Sequence, residues 1–121
     1  MKLSIIIVNY NTKDYLTDAL QSIKQSADHL DKEIIVVDNA STDGSLEMIH
    51  QFKWVNLIKN NHNLGYAAAN NLGLKQAKGE YILFLNSDTK IMPDTLTTMV
   101  NFMDQHQDVG ISTCRVELVS G

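Results

Sequence analysis

Four short apolar runs constrain the fold of this chain more than any other feature. Three of them, Leu3–Val8, Glu33–Val37 and Tyr81–Leu85, are nearly continuous and stop at clusters of polar residues. Short apolar runs bounded by turn residues are typical of strands that are buried on both faces of a sheet. The fourth run, Val55–Lys59, is less apolar and predicts a further strand.

Segments with helical periodicity lie between these runs. In the first segment, Asn11 or Thr12 is suited to cap a helix whose apolar face is expected to pack on the sheet. That face consists of Tyr15, Leu16, Ala19, Leu20 and Ile23. Further helices are predicted around residues 46–52, over Tyr66–Ala77, and from a first turn that contains Pro93.

Strands that alternate with helices predict an α/β fold with a mainly parallel central sheet and right-handed crossovers. A fifth strand is expected over Ile111–Leu118, with Cys114 as a small core residue. The loops after the first, second and fourth strands of such a sheet lie at one edge. We therefore expect Tyr10, Asp38 and Asp88 to share that edge, with Asp88 following a central strand.

The composition excludes several classes of protein. The 121 residues, 44% of them hydrophobic, are typical of one globular domain. A net charge of −4 with scattered Lys and Arg argues against nucleic-acid binding. The four histidines lack ligand spacing, which argues against a zinc site. One cysteine and no signal-like segment predict a cytoplasmic protein, with the inner face of the membrane as an alternative for a full-length product.

Polar residues at two strand ends are candidate ligand contacts. Asp38 can accept hydrogen bonds from ribose hydroxyls or a base imide, or it can form an Asx turn or helix cap in its own loop. Asn86, Ser87 and Asp88 offer one carboxylate and two neutral oxygens, which suits Mg²⁺ or Mn²⁺ bridging two phosphates. The alternative is that Asp88 only caps a turn. Tyr10 can stack on a base or belong to the rim of the core.

Small residues and amides begin the helix that follows the third strand, within Asn63–Asn71. Small residues let the backbone approach a ligand closely, and free N–H groups at a helix N-terminus favour anionic oxygens. The alternative is that the alanines only let the helix pack closely on the sheet.

Taken in order, four segments resemble the family 2 glycosyltransferases with the GT-A fold, and in particular their rhamnosyltransferase-like branch. The segments are Ser4–Asn11, Glu33–Ser45, Asn63–Gly73 and Leu85–Thr89. The resemblance implies a Rossmann-like GT-A fold with three layers, α/β/α. It also implies the transfer of a sugar, with inversion, from a UDP- or dTDP-linked donor to a saccharide or lipid-linked acceptor hydroxyl in cell-envelope polysaccharide synthesis.

The same resemblance implies roles for single residues. Those expected to bind the nucleotide sugar are Val8, Asn9, Tyr10, Asp38, Gly65, Asn70, Asn86 and Ser87. Among them, Asp38 would contact uracil or ribose, and Asn86 would lie near the ribose. Asp88 would coordinate a divalent metal, Mg²⁺ or Mn²⁺, on the donor's diphosphate.

The chain departs from the family pattern in two respects. Asn86 and Asn70 stand where many members have Asp and Arg. The family's general base lies in an acidic motif well beyond the metal triplet, and no acid here resembles it. The acids after the triplet are Asp94, Asp104, Asp108 and Glu117.

The second departure bears on catalysis, because the resemblance implies that the general base lies beyond Gly121. We therefore expect residues 1–121 to form a single donor-binding domain, truncated before the acceptor-binding half and inactive alone. A sheet edge that lacks its later neighbours would be exposed, so the chain is also expected to self-associate.

A non-catalytic nucleotide- or carbohydrate-binding module with the same fold is the alternative function. Two other classes with a similar element order do not fit the sequence. A dinucleotide-binding Rossmann domain needs a glycine-rich turn after the first strand, and residues 9–12 contain no glycine. A phosphoacceptor receiver domain needs an acidic pair at that point, which is also missing.

Overall fold

A parallel sheet of four strands forms the centre of the computed structural model, which describes residues 1–26 and 28–118. The strands are β1 (Leu3–Asn9), β2 (Lys32–Asp38), β3 (Val55–Lys59) and β4 (Tyr81–Phe84). The helices are α1 (Lys13–Lys24), α2 (Ser45–Ile49), α3 (Tyr66–Gln76) and α4 (Thr95–Gln105). In space the strands follow the order β3-β2-β1-β4, so β1 and β2 are internal.

Helices cover both faces of this sheet. On one face, Leu16 of α1, Met48 of α2 and Leu96 of α4 join a buried cluster with alternate residues of β1 and β2. On the other face, Ala69 of α3 packs against Ile6 and its neighbours in a second cluster. The predicted α/β fold with three layers is therefore confirmed. The β-branched residues of the internal strands explain this arrangement, because they present apolar surface to both layers.

The register of β1 and β2 places two polar residues side by side. Pairing runs from Leu3 opposite Lys32 to Asn9 opposite Asp38. Both strands therefore continue one residue beyond the predicted apolar runs. A polar contact accompanies this extra residue, because the Asn9 Nδ2 atom donates a hydrogen bond to Asp38 Oδ1 at 2.9 Å.

Two glycines allow close approach to β1. A Cβ atom at Gly73 of α3 would lie 2.6 Å from Ile6 Cγ2, so the helix lies directly on the strand. A Cβ atom at Gly79 would lie 2.4 Å from the Ser4 backbone nitrogen. Glycine has no Cβ atom and avoids this clash, and its N–H donates a hydrogen bond to Ser4 Oγ at 2.8 Å. This bond holds the entry to β4 against the start of β1.

The predicted fifth strand over Ile111–Leu118 is wrong. Residues 111–118 are irregular, and Ile111 and Leu118 are 91% and 96% exposed. Cys114 is exposed as well and is not a core residue. A segment with strand propensity becomes a strand only where a neighbouring edge pairs with it and a layer covers it. Within the described residues β4 pairs only with β1, so β4 is an edge strand and not the central strand that was expected.

The α1 helix differs from its prediction at one position. Leu16, Ala19, Leu20 and Ile23 are buried as expected, but Tyr15 is 62% exposed. The buried stripe follows the helical spacing of three and four residues, and Tyr15 falls on its flank. None of the helices in the part of the chain that the structure describes has the length and apolarity needed to cross a membrane.

Candidate functional site

The loops after β1, β2 and β4 meet at the carboxyl edge of the sheet. Strand register brings the ends of β1 and β2 together, and Thr12 Oγ1 lies 3.0 Å from Ser87 Oγ in a hydrogen bond between the first and last of these loops. Parallel strands place their carboxyl ends at the same edge, which explains the convergence. The residues that the sequence placed at strand ends are thus brought together at one edge.

Asp38 is fully buried at this edge. Its Oδ1 atom accepts hydrogen bonds from Asn9 Nδ2 at 2.9 Å and from Ser41 Oγ at 2.7 Å. Its Oδ2 atom accepts one from the Ser41 backbone N–H at 2.9 Å. These bonds satisfy the carboxylate within the protein and close a tight turn, which is the structural alternative considered for Asp38. Asn9 is fully buried in the same network.

Ser41 and Thr12 complete the network, although the sequence did not single them out for it. The Ser41 Oγ atom accepts a hydrogen bond from the Asn11 backbone N–H at 2.9 Å. The Thr12 hydroxyl donates to Asn9 Oδ1 at 2.7 Å. Ser41 stands three residues after Asp38, and Thr12 three after Asn9. That spacing, typical of Asx and related turns, was the available signal.

A residue from another loop caps the N-terminus of α1. Thr12 holds the predicted cap position, but its side chain makes no capping hydrogen bond. In its place, the Lys13 backbone N–H donates to Asp43 Oδ2 at 3.0 Å. Partial burial acts to raise the pKa of Asp43, but hydrogen bonds from the Ser45 hydroxyl and from backbone N–H groups outweigh it. The pKa of Asp43 therefore lies below its ordinary value.

Asn39 fixes the loop that leads into α3. Asn39 is almost fully buried, its Nδ2 atom donates to the Gly65 carbonyl at 3.2 Å, and its Oδ1 atom accepts from Asn60 Nδ2 at 2.9 Å. Gly65 has φ 86° and ψ 170°, a conformation that is essentially restricted to glycine. The helix N-terminus is therefore held in place by one amide and one glycine.

The small residues in the first turns of α3 lie both at the surface and against the sheet. Ala67 and Ala68 are exposed, whereas Ala69 is buried against the sheet. Asn70 is partly buried, and its Oδ1 atom is buried without a hydrogen-bond partner among the described residues. A buried acceptor of this kind is completed by water or by a ligand donor.

Val8 and Tyr10 differ in exposure. Val8 is half-buried and packs on the side of the sheet that α3 covers. Tyr10 is 49% exposed, so much of its ring is free for stacking. The exposure favours the ligand-stacking interpretation of Tyr10 over a place in the core rim.

Asp88 is the exposed carboxylate of the site, and among the described residues it forms no hydrogen bond or ion pair. The two neutral oxygens beside it are already engaged. Asn86 Oδ1 accepts from the Tyr66 hydroxyl at 2.9 Å, and Ser87 Oγ is bonded to Thr12.

These residues fit one kind of metal site and not another. Residues 1–26 and 28–118 contain no group of three His, Cys, Asp or Glu side chains that could hold a metal ion. A closed site made of protein ligands therefore does not fit. Mg²⁺ commonly takes one or two carboxylates together with waters and substrate phosphates. A single free carboxylate, Asp88, fits that arrangement.

The catalytic general base is the part of the predicted site that the structure does not reach. It is expected beyond Gly121, and Gly121 itself lies outside the described residues, which end at residue 118. The position of the base therefore stays a prediction.

Comparison with known proteins identifies the family. The family described as Glycosyl transferase family 2 matches residues 4–118 of the chain. The chain belongs to glycosyltransferase family 2. The poly(ribitol-phosphate) beta-N-acetylglucosaminyltransferase TarS of Staphylococcus aureus is 36% identical over 112 residues, which are 88% of this chain and 19% of TarS. The Escherichia coli beta-1,3-glucosyltransferase WfaP is 39% identical over 103 residues, 84% of this chain and 41% of WfaP.

Two solved structures share the fold. The crystal structure of S. aureus TarS 1–349 in complex with UDP-GlcNAc superimposes with a TM-score of 0.82 at 34% identity, over 88% of this chain and 32% of that one. The mannosyltransferase PcManGT of Pyrobaculum calidifontis, in complex with GDP-Man and Mn²⁺, gives a TM-score of 0.79 at 26% identity, over 84% of this chain and 32% of that one. The chain thus spans less than half the length of each of these relatives.

Proposed function

We propose that residues 1–121 bind the donor in a glycosyl transfer from a nucleotide-diphosphate sugar to an acceptor hydroxyl, with inversion at the anomeric carbon. The observation that carries the proposal is the free carboxylate of Asp88, held at the loop edge in a family 2 fold. TarS, which shares the fold, has been crystallised with UDP-GlcNAc. A UDP-linked donor is therefore the first to test, and a dTDP-linked donor the second.

Exposure divides the candidate residues into two groups. Tyr10, Gly65, Asn86 and Asp88 are exposed and are proposed to contact the nucleotide sugar. Asn9 and Asp38 are fully buried, and we assign them to hold the loops in position. Direct contact between Asp38 and the base or ribose remains a prediction, and it requires the fully buried carboxylate to become accessible to the ligand.

Ser87, Val8 and Asn70 are proposed to support the same site. Ser87 ties the loop after β4 to Thr12. Val8 is half-buried near the end of β1, and we propose that it lies beneath the base. The Oδ1 atom of Asn70, which has no hydrogen-bond partner among the described residues, is proposed as an acceptor for a donor group of the sugar nucleotide.

A divalent cation, Mg²⁺ or Mn²⁺, is proposed to bind together with the donor. Asp88 would hold it, and the donor's phosphates would supply further oxygen ligands. When bound, such a cation stabilises the negative charge that develops on the departing nucleoside diphosphate. The complex of PcManGT with GDP-Man and Mn²⁺ supports this assignment.

Calorimetric titration of UDP and dTDP, with and without Mn²⁺, tests the proposal. In Asp88→Asn we expect the gain in affinity caused by Mn²⁺ to fall by about tenfold, because one metal ligand loses its charge. Asp108→Asn, which changes an exposed acid outside the site, should keep that gain. The proposal is overturned if wild-type protein binds neither nucleotide at millimolar concentrations.

The proposed function also includes catalysis and the choice of acceptor. The name of WfaP specifies UDP-Glc as the donor and a diphosphoundecaprenol-linked sugar as the acceptor, and that of TarS specifies poly(ribitol phosphate) as the acceptor. These relatives support a saccharide or lipid-linked acceptor in cell-envelope polysaccharide synthesis. Membership of the rhamnosyltransferase-like branch and a cytoplasmic location stay predictions. Comparing turnover of UDP-GlcNAc with that of dTDP-rhamnose in a longer protein that contains this domain tests the branch.

We also propose that residues 1–121 do not transfer sugar by themselves. Asp104 is bonded to Lys2 at 2.8 Å and to Tyr81 at 2.7 Å, at the opposite ends of the strands from the site. Glu117 forms an ion pair with Arg115 at 3.2 Å. Transfer at a normal rate by the purified chain contradicts this. A longer protein that contains this domain is the second test. If that protein also binds the nucleotide but transfers no sugar, the alternative of a non-catalytic nucleotide- or carbohydrate-binding module is favoured.

A further inference from the structure

A hydrogen bond from Tyr66 connects α3 to the loop after β4. Tyr66 is the first residue of α3, and its hydroxyl donates to Asn86 Oδ1 at 2.9 Å. Its side chain is 53% exposed, so the ring is not a core residue. Asn86 is exposed too. The bond therefore joins two surface segments of the site and plays no part in core packing.

The hydrogen bond from Tyr66 determines which end of the Asn86 amide faces the site. An asparagine side chain has one acceptor oxygen and one NH₂ donor, and its orientation decides which of them faces a ligand. Because the Tyr66 hydroxyl occupies Oδ1, the Nδ2 atom is the group left to face the site. Among the described residues, Nδ2 of Asn86 makes no hydrogen bond.

We infer that Tyr66 is a positioning residue, which orients the Asn86 amide so that Nδ2 donates a hydrogen bond to an acceptor oxygen of the nucleotide. The inference rests on the proposed function of donor binding. The acceptor lies on the ribose or on the diphosphate, and both offer oxygens of the right kind. Asn86 then serves as a hydrogen-bond donor to the nucleotide and is not a metal ligand.

The substitution Asn86→Asp separates these two roles. The new carboxylate would keep an oxygen acceptor for the Tyr66 hydroxyl but would replace the Nδ2 donor by a second, negatively charged oxygen. A donor role for Asn86 therefore predicts weaker nucleotide binding in Asn86→Asp when no metal is present. The added charge repels the diphosphate in either case, so the roles separate in Mn²⁺: a metal-ligand role predicts that binding recovers fully, because a carboxylate is a good ligand for the cation, whereas a donor role predicts partial recovery.

The first test compares Tyr66→Phe with Tyr15→Phe, which removes a hydroxyl from another exposed tyrosine, one whose hydroxyl makes no hydrogen bond among the described residues. UDP affinity is measured by calorimetry in EDTA. We expect Tyr66→Phe to weaken binding about three- to tenfold, because the freed amide must be ordered by the ligand. Equal affinities in the two variants overturn the inference.

The second test observes the amide directly by NMR. The side-chain NH₂ signals of Asn86 are assigned by their loss in Asn86→Asp, and we expect UDP to shift them downfield in wild-type protein. A shift that uridine also produces places the acceptor on the ribose, and a shift seen only with UDP places it on the diphosphate. Signals that saturating UDP leaves in place overturn the inference.

The third test uses affinity in Asn86→Asp. Without metal, we expect its UDP affinity to fall about tenfold or more, with partial recovery in Mn²⁺. Unchanged affinity in EDTA contradicts the donor role. If wild-type protein binds no nucleotide, the proposed function fails. If wild-type protein binds and the variants match it, only the positioning role fails.

Discussion

Backbone strain at single residues accompanies the polar network of the site. Asn11 and Ala40 adopt left-handed conformations, with φ values of 52° and 65°. The strain at Asn11 is compensated, because its Oδ1 atom accepts a hydrogen bond from the Thr42 N–H at 2.7 Å. Alanine has no such side-chain compensation, and the left-handed region costs L-residues about 1–2 kcal/mol. The loop after β2 thus stores strain beside the buried Asp38.

Ala40→Gly is therefore expected to stabilise the protein. Relief of the left-handed strain outweighs the entropy cost of glycine, and we expect the free energy of unfolding to rise by about 0.5–1 kcal/mol. The matched change Ala68→Gly, at an exposed position in α3, should lower it by about 1 kcal/mol. Urea denaturation of both variants measures this. A destabilised Ala40→Gly contradicts the assignment of strain.

Asp43 gives the loop a pH-dependent contribution to stability. Its pKa in the folded state lies below its ordinary value despite the opposing effect of burial, since Ser45 and backbone N–H groups hydrogen-bond to the charged form. A lowered carboxyl pKa stabilises the fold above the unfolded value of about 4, and this contribution is lost as pH falls through the folded value. We expect Asp43→Asn to be less stable than wild type at pH 7.

The pH profile of unfolding checks this prediction. The difference in stability between wild type and Asp43→Asn should shrink as pH falls below about 4 and vanish once both states of wild type are protonated. A difference that stays constant from neutral to acid pH shows that Asp43 acts only by its shape.

At the scale of elements, junctions between strands and helices depend on close backbone approach. Gly79 lies between α3 and β4, where an added Cβ atom would lie 2.4 Å from Ser4 N and 2.7 Å from Leu3 C. Those atoms belong to an internal strand and cannot yield easily. The approach of Gly79 to β1 is a tertiary contact, which the order of elements along the sequence does not predict.

Gly79→Ala is expected to lower the free energy of unfolding by about 1–3 kcal/mol, as overpacking does in other cores. Gly110→Ala is the matched control, because no atom lies within 4 Å of the Cβ position there. Chemical denaturation compares the two variants. Equal stabilities show that the start of β1 can move away from residue 79.

At the scale of the whole molecule, the β4 edge of the sheet is unpaired within the described residues. A groove of about 670 Å³ runs between β4, α4 and residues 110–116. Its lining is largely apolar, and Phe84 of β4 is exposed at 48%. Unpaired strand edges and exposed apolar surface favour association with another chain.

Self-association through this edge is therefore a prediction for the 121-residue chain. Sedimentation velocity should show a dimer fraction that grows with concentration. Phe84→Lys should reduce that fraction, because a charge on an edge strand opposes pairing. Met92→Lys, which changes an exposed methionine outside the groove, should not. A wild-type monomer at every concentration contradicts the prediction.

The sequence alone determined the strands β1 to β4, the helices between and after them, and the edge at which the candidate site lies. Apolar runs located β1 to β4, helical spacing located the helices, and the strand ends located Asp38, Asn86 and Asp88. These features are local, because each depends on residues that are neighbours in the chain or one helical turn apart.

Only the tertiary structure decided which of these residues are free to act. It buried Asp38 in hydrogen bonds to Asn9 and Ser41, and it left residues 111–118 unpaired beside β4. It also joined Tyr66 to Asn86, which are 20 positions apart. The physical reason is that burial, strand pairing and amide orientation depend on partners distant in the sequence, whose positions no local pattern encodes.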